Sequence, residues 1–249
     1  MALGTDSIWF RTYGTQTPPR TRLVCLPHAG GSASFFHSWG HAFGSDVEVM
    51  AVRYPGRQER IAEDLVNDME LLADAITVEL LPFLDTPLAL FGHSMGASLA
   101  YEVALRLESR HGVVPAGLMV SCRKAPHLLR PRTAALTDEE LVAEVQRLGG
   151  TDTALLDDPD LRELILPAIR ADFSVVSRYT ARPGVPLGCP VVGYVGDSDP
   201  DIDVEGVRAW AGIAPKGFDL KVLSGGHFYL VDRRDELIED IRARLAPEL

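Results

Sequence analysis

A single pentapeptide constrains the fold of this chain more than any other feature: residues 92–96 read GHSMG, a G-x-S-x-G pattern. The apolar run of residues 88–91 leads into it, and a helix-forming stretch follows at once. A serine in this context occupies a strained turn between a strand and a helix, which exposes its hydroxyl. The two glycines are needed because side chains there would collide with the neighbouring strand or helix. The pattern therefore predicts that Ser94 is an exposed nucleophile at the end of a buried strand.

Short apolar runs alternate with helix-length amphipathic segments along most of the chain. Several runs are apolar throughout, which is typical of strands buried on both faces of a mostly parallel sheet. The predicted strands lie at residues 8–13, 23–26, 47–54, 88–91, 118–122, 191–195 and 220–223. The predicted helices lie at residues 68–84, 95–110, 204–213 and 233–245. This alternation predicts an α/β fold with a mostly parallel central sheet flanked by helices.

Residues 123–190, called the helical insertion below, interrupt this alternation because they contain no strand pattern. Thr137 and Glu140 form a capping-box pattern that begins one helix. A second helix is predicted from an apolar stripe of Leu161, Leu164, Ile165, Ala168, Ile169, Phe173 and Val176. Pro167 is expected to kink or split this helix, and Asp172 on its apolar side either points into a chamber or caps a turn. The insertion either packs on the surface or covers a site as a lid.

The residues that would activate the Ser94 hydroxyl follow in a specific order along the chain. A serine is a weak nucleophile without a base. In chains with a G-x-S-x-G turn, the acid that orients the base comes before the catalytic histidine in the sequence. His227 and a loop with three alternating aspartates each follow a predicted strand, at the edge where α/β sheets place their sites. Asp199 is preferred as the acid because it is the fourth residue of a Gly-x-x-Asp turn. Asp197 remains the alternative acid. The other role open to any of the three loop aspartates, Asp197, Asp199 or Asp201, is to cap a helix.

If Ser94 attacks a carbonyl carbon in an acyl-transfer reaction, the tetrahedral intermediate carries an oxyanion, which requires N–H donors to stabilise it. One donor is the backbone N–H of Met95, the residue after the candidate nucleophile. The second is expected in the small, flexible loop of residues 27–32, where Ala29 is best placed to donate. The alternative is that this loop is an ordinary turn between a strand and a helix. His28 is expected to support the loop rather than to act as a base.

Composition and charge argue against several classes of protein. There are 24 Lys and Arg against 35 Asp and Glu, and the net charge of −11 at pH 7 argues against nucleic acid as a partner. No stretch approaches the roughly 20 apolar residues that a bilayer requires, and the start of the chain lacks a secretory pattern. The three cysteines lack metal-ligand spacing, which predicts buried thiols. We expect one domain, residues 1–249, in a monomeric, soluble cytoplasmic protein.

Five segments, taken together and in order, resemble the type II thioesterases. These segments are residues 28–32, 54–57, 92–96, 196–200 and 225–230. Members of that family are stand-alone α/β-hydrolases that work beside polyketide synthases and nonribosomal peptide synthetases. The resemblance spans nearly the whole chain and places the helical insertion where the family carries its lid. It implies hydrolysis of stalled or wrong acyl groups from the phosphopantetheine arm of an acyl or peptidyl carrier protein.

The implied mechanism is a two-step acyl transfer. His227, oriented by Asp199, deprotonates Ser94, which attacks the thioester carbonyl. The N–H groups of Met95 and Ala29 bind the oxyanion, and water then hydrolyses the acyl-serine. These steps require neither a metal nor an organic cofactor. The rival hypotheses are a small-molecule carboxylesterase, a synthase release domain with the same three residues, and a non-catalytic binding protein on the same fold.

Two groups of basic residues are candidate contacts for the substrate carrier. Arg57, with Arg53 and Arg60 nearby, is a candidate for binding the phosphate of the arm or an acidic carrier, the alternative being a solvated loop. The start of the helical insertion has no acidic residue between residues 118 and 136. It has four basic ones, Arg123, Lys124, Arg130 and Arg132. Because carrier proteins are usually acidic, this stretch is the predicted docking site on an otherwise acidic protein.

Overall fold

The computed structural model describes residues 7–13, 18–131, 136–149, 154–180, 183 and 185–246. Seven strands form one sheet: β1 (Phe10–Tyr13), β2 (Thr21–Leu26), β3 (Val47–Val52), β4 (Leu88–His93), β5 (Gly117–Ser121), β6 (Val191–Gly196) and β7 (Phe218–Leu223). Their order is β1-β3-β2-β4-β5-β6-β7. Only β1 runs antiparallel to its neighbour, so the predicted mostly parallel sheet is confirmed. The central strands β4, β5 and β6 are buried along their whole length, as their unbroken apolar runs predict.

Helices flank the sheet, as predicted, although several ends differ. The α-helices in the described residues are α1 (Met69–Leu80), α2 (Met95–His111), α3 (Asp138–Leu148), α4 (Ala154–Asp157), α5 (Pro159–Arg178), α6 (Val204–Arg208), α7 (Tyr229–Asp232) and α8 (Arg234–Leu245). Asp68 caps α1 by accepting from the Leu71 amide at 2.9 Å. The predicted helix 68–84 ends early as α-helix and continues as a 3₁₀ turn, Leu81–Phe83, because Pro82 cannot donate. Sequence patterns missed the 3₁₀ helix Ala33–Trp39.

The helical insertion lies between β5 and β6 and contains α3, α4 and α5. The capping box is confirmed: Thr137 Oγ1 accepts from the Glu140 amide at 3.2 Å, and Glu140 Oε2 accepts from the Thr137 amide at 2.8 Å. Pro167 does not split the helix, which was one of the two outcomes expected there, since α5 is continuous. Pro167 and Glu163 are both exposed, so water can satisfy the Glu163 carbonyl that the proline leaves without a donor.

The buried apolar stripe of α5 is shorter than the sequence pattern predicts. Ile169 and Leu166 are buried in a small cluster of the insertion, together with side chains of α3. Leu161 and Leu164, at the start of the predicted stripe, are instead 39% and 55% exposed. They lie in the first turns of α5. The buried face of α5 therefore begins at Leu166 rather than at Leu161.

The strand order brings the loop after β2 close to the turn after β4. The chain passes from β2 to β3 on one side and then returns to add β4 on the other side of β2. In open α/β sheets, a ligand crevice forms at the point where the strand order reverses, outside the carboxyl ends of the strands. The loop after β2 and the turn after β4 therefore meet at this edge. None of the helices in the described residues is long and apolar enough to span a bilayer.

Candidate active site

Ser94 lies in the strained turn that the G-x-S-x-G pattern predicts. Its backbone angles are φ 55° and ψ −114°, a region that residues other than glycine rarely adopt. A hydrogen bond ties the turn to the end of strand β5: the Ser94 amide donates to the Ser121 carbonyl at 2.8 Å. A Cβ atom on Gly92 would collide with the backbone of Gly96, and a Cβ on Gly96 would collide with the Leu26 carbonyl. The two glycines are thus required by backbone packing on both sides of the serine.

His227 is paired with Asp199, the preferred acid. Its Nδ1 lies 2.7 Å from Asp199 Oδ2, and the Asp199 side chain is fully buried. The other carboxylate oxygen accepts from the amides of Asp201 at 2.9 Å and Ile202 at 3.0 Å, which fixes the rotamer. Asp197, the alternative, is turned away and accepts from the Gly225 amide at 3.0 Å. The geometry therefore associates His227 with Asp199 and gives Asp197 a loop-bracing contact.

The environment of Asp199 favours its ionised form. Burial acting alone raises the pKa of the Asp199 carboxyl, but the hydrogen bond to His227, the imidazolium charge and the backbone N–H donors outweigh it and lower the pKa. An ionised Asp199 accepts a hydrogen bond from Nδ1 of His227. This tautomer leaves Nε2 as the nitrogen that can accept a proton.

Two further histidines and a phenylalanine surround His227. The ring centroids of His93 and His227 are 5.1 Å apart, and Phe228 contacts both rings at 5.0 and 5.3 Å. Burial, reinforced by the charge of His227, lowers the pKa of His28 to about 3 and that of His93 well below its usual value. Both rings therefore stay neutral near pH 7 and cannot compete with His227 as bases. Phe228 was missed at the sequence level, although it directly follows the candidate base.

The two candidate oxyanion donors lie on facing elements. Met95 is the first residue of α2, so its amide has no intrahelical acceptor. Ala29 lies in the loop after β2 and lines the same cavity as Ser94. The next amide, that of Gly30, donates instead to Asp172 Oδ2 at 2.7 Å. His28 supports the loop as expected, since a Cβ on Gly31 would lie 2.8 Å from its ring.

Arg57 does not occupy the exposed position expected of a carrier or phosphate contact. Its side chain is 12% exposed, and its guanidinium makes a bidentate ion pair with Asp172, at 2.6 and 2.8 Å. It also donates to the Gly31 carbonyl at 3.0 Å. Neighbouring Arg60 is likewise buried and is paired with Glu63 at 2.5 Å. The solvated-loop alternative does not describe Arg57, which lies in a buried ion pair. Of the two roles considered for Asp172, the capping of a neighbouring turn agrees with its bond from the Gly30 amide, whereas the ion pair with Arg57 was not predicted.

A cavity of about 880 Å³ lies between the Ser94 and His227 side chains and the helical insertion. Ser94 and His227 line it. Apolar side chains of the insertion line it as well: Leu136, Leu141, Val145, Leu148, Phe173 and Val176. Cavities of a few hundred to about 1,000 Å³ are typical of small-molecule sites. The arrangement can hold an apolar group beside the Ser94 hydroxyl.

The basic residues at the start of the insertion differ in exposure. Arg123, Lys124 and Arg130 all line the cavity. Arg123 is half-buried and donates to Ser98 Oγ at 2.7 Å, while Lys124 is 3.5 Å from an Asp203 carboxylate oxygen. Arg130 is exposed and donates to backbone carbonyls of its own loop. Arg132 lies outside the described residues.

One group of potential metal ligands within the described ranges has atoms within 4.8 Å of one another: Cys122, Asp199 and His227. Burial, followed by the charge of Asp199, raises the pKa of the Cys122 thiol well above its usual value, so the thiol stays protonated. A metal would also have to break the bond between His227 and Asp199. The group is therefore suited to proton transfer rather than to metal binding. The other two cysteines, Cys25 and Cys189, are free and buried, as predicted.

The parallel sheet and the turn at Ser94 define a hydrolase of the α/β-hydrolase fold. The sequence matches the thioesterase domain family over residues 21–245. It is 44% identical over 246 residues to the thioesterase PikA5 of Streptomyces venezuelae, covering 98% of this chain and 88% of that protein. The chain belongs to the thioesterase family and hydrolyses thioesters.

Two solved structures extend this comparison. The type II thioesterase BorB from the borrelidin biosynthetic cluster is 42% identical, with a TM-score of 0.88 over 96% of this chain and 98% of that one. RedJ, a thioesterase of the prodiginine pathway in Streptomyces coelicolor, is 39% identical, with a TM-score of 0.84 over 91% and 86% of the two chains. The resemblance to type II thioesterases and the α/β-hydrolase fold are thereby confirmed.

Proposed function

We propose that this protein removes stalled or wrong acyl groups from the phosphopantetheine arm of acyl or peptidyl carrier proteins, with Ser94, His227 and Asp199 as catalytic residues. The observation that carries the proposal is the 2.7 Å pair between Asp199 and His227, because His227 lines the same cavity as Ser94. The relatives support the choice of substrate, because BorB comes from a biosynthetic cluster and RedJ from a biosynthetic pathway.

The first step transfers the acyl group to the enzyme. His227 Nε2 takes the hydroxyl proton of Ser94 as Oγ bonds to the thioester carbonyl carbon, and the carbonyl electron pair moves to oxygen. The N–H groups of Met95 and Ala29 stabilise that oxyanion. Its collapse breaks the carbon–sulfur bond, and the departing sulfur takes the proton from the imidazolium. Asp199 stabilises the imidazolium while it exists.

The second step releases the acid. Water gives a proton to His227 Nε2 and bonds to the acyl carbon, which regenerates the oxyanion in the same place. Collapse breaks the bond to Ser94 Oγ, which recovers its proton from the imidazolium. The products are a carboxylic acid and the original enzyme. All proton transfers use one imidazole, so the pair with Asp199 must persist through both steps.

The helical insertion is proposed as the lid of a single hydrolase domain. Its apolar side chains line the cavity, where an acyl chain would lie. Arg130 and Lys124 border the same cavity from the start of the insertion. An acidic carrier that docks there would place its arm toward Ser94. On a protein with a net charge of −11, this basic stretch offers local attraction for such a partner.

The test uses carrier proteins loaded with acetyl, propionyl and longer acyl groups, incubated with wild type and with Ser94→Ala. We expect wild type to release acid from the loaded carriers and Ser94→Ala to release none above the uncatalysed rate. Matched acyl-pantetheine and p-nitrophenyl esters serve as small substrates. Wild-type activity confined to the small esters would overturn the carrier-protein proposal, and equal release by Ser94→Ala would overturn the mechanism.

A further inference from the structure

The loop that carries Ala29, residues 27–31, is held at three points. At its start, the Tyr54 hydroxyl donates to the Pro27 carbonyl at 2.9 Å. At its end, Arg57 donates to the Gly31 carbonyl at 3.0 Å. Between them, the Gly30 amide donates to Asp172 at 2.7 Å. The segment of residues 54–57 and helix α5 of the helical insertion thus brace the loop together.

The central contact is a buried pair of charges. Asp172 is 1% exposed, and both its oxygens are engaged by Arg57. Oδ2 accepts from Arg57 and from the Gly30 amide at the same time. The Arg57 guanidinium also stacks over the Tyr54 ring, 5.2 Å from its centroid. Removing Asp172 would leave a backbone donor without its acceptor and a buried cation without its partner.

Helix α5 also contacts the loop through an apolar side chain. A Cβ on Gly30 would lie 3.1 Å from Ile169 Cγ1, a tight contact, and the φ of +78° at Gly30 is in the region that favours glycine. Ile169 and Asp172 are three residues apart and therefore share one face of α5. From that face, Ile169 packs against Gly30 and Asp172 accepts from the Gly30 amide, so both contact the residue after Ala29.

We propose that Asp172 and Arg57 are positioning residues that hold the Ala29 N–H toward the oxyanion, and that they couple the placement of α5 to formation of the oxyanion hole. This inference rests on the proposed function, since it concerns a donor in that reaction. Neither side chain is among the residues that line the cavity, so the role assigned to both is positioning rather than substrate contact. A displaced α5 releases Gly30, and the Ala29 donor loses its fixed direction.

The test measures kcat and KM for Asp172→Asn with an acyl carrier protein, with acyl-pantetheine and with acyl-phosphopantetheine. Loss of one oxyanion donor lowers kcat by about 10²- to 10³-fold. We expect that loss with all three substrates, with KM nearly unchanged. If Arg57 instead bound the phosphate of the arm, Arg57→Lys would raise KM for the phosphorylated substrates and spare acyl-pantetheine. That outcome would overturn the inference.

The matched control is Asp138→Asn, which removes the ion pair between Asp138 of α3 and Arg170 of α5 and leaves the loop untouched. It should retain the wild-type kcat. A second variant guards against misfolding: Arg57→Met with Asp172→Leu removes both charges together, so no buried charge is left unpaired. It should show a cooperative thermal transition and the same loss of kcat.

The outcomes separate the two proposals. A folded Asp172→Asn or double variant with wild-type kcat, or with a change confined to KM, overturns the inference alone. A wild-type protein that hydrolyses none of the three thioesters overturns the proposed function and the inference with it. An independent readout is a boronic acid, whose tetrahedral adduct on Ser94 places an oxygen in the same hole. It should bind Asp172→Asn more weakly by about the factor lost in kcat.

Discussion

Replacing Gly96 by alanine adds a Cβ atom where α2 closely approaches the backbone at the end of β2 and the start of the loop after it. A Cβ at this position would lie 2.6 Å from the Leu26 carbonyl carbon and 2.7 Å from the Pro27 carbonyl oxygen, and closer still to the Leu26 oxygen. All of these are backbone atoms, so no side-chain rotation relieves the clash. The loop and the helix must move apart.

The size of that movement follows from ordinary contact distances. Carbon–oxygen contacts lie at about 3.3–3.6 Å, so Pro27 must retreat by roughly 0.6–0.9 Å, and Leu26 by more. Overpacking of this kind costs about 1–3 kcal/mol of unfolding free energy. In a chain of this size, each kcal/mol lowers Tm by about 2–4 °C. The same movement separates the amides of Met95 and Ala29, and a misplacement near 1 Å lowers the rate by about 10²-fold.

The assay combines thermal unfolding with hydrolysis of acyl-pantetheine by purified variants. The matched control is Gly212→Ala, because Gly212 has open space around its Cβ position and needs no left-handed backbone. We expect the control to keep both Tm and kcat, and Gly96→Ala to lose both. A Gly96→Ala protein with wild-type Tm and kcat would refute the claim that this close approach sets the oxyanion geometry.

Three further predictions address the acid, the core and the docking stretch. Asp199→Asn should lower kcat by about 10⁴-fold, whereas Asp197→Asn, which removes only a loop contact, should leave kcat near wild type. Because the folded-state pKa of Asp199 is lowered, its contribution to stability is present above its unfolded pKa of about 3.9 and is lost as pH falls through the folded value. Urea midpoints of wild type and Asp199→Asn should therefore converge below about pH 4; a difference that persists unchanged would contradict this. Arg106→Met should cost about 3–5 kcal/mol in urea unfolding, since it strands the fully buried Glu102 carboxylate, while the exposed Arg110→Met should cost at most about 1 kcal/mol. Arg130→Glu should slow hydrolysis of acyl carriers far more than of acyl-pantetheine, and Arg234→Glu, at a residue that does not line the cavity, should slow neither; equal effects of Arg130→Glu on both substrates would refute docking at this stretch.

The features that could be predicted from the sequence depend on neighbouring residues. The turn at Ser94 is encoded by its flanking glycines and by the apolar run before it, and the start of α3 by Thr137 and Glu140. The strands of the sheet are visible because they are buried on both faces and carry few polar residues. Each of these signals is contained within a few positions, so no tertiary contact was needed to read it.

The features that could not be predicted depend on distant pairs. Asp172 and Arg57 are 115 positions apart, and their pairing depends on how α5 docks on the loop. Before that docking is known, Arg57 resembles any exposed basic residue. The choice between Asp197 and Asp199 could be predicted in part, because the Gly-x-x-Asp turn favours Asp199. The two alternate in one loop, and in the structure it is Asp199 that pairs with His227 while Asp197 contacts Gly225.

Covalent capture of the acyl group on Ser94 tests the central claim most directly. An acyl-loaded carrier protein is mixed with the enzyme, the reaction is quenched with acid within one turnover, and the peptide containing Ser94 is analysed by mass spectrometry. We predict that this peptide carries the acyl group, formed at least as fast as acid is released, and that Ser94→Ala neither carries acyl nor releases acid. An acyl group on a different residue, or release of acid by Ser94→Ala at the wild-type rate, would contradict the account.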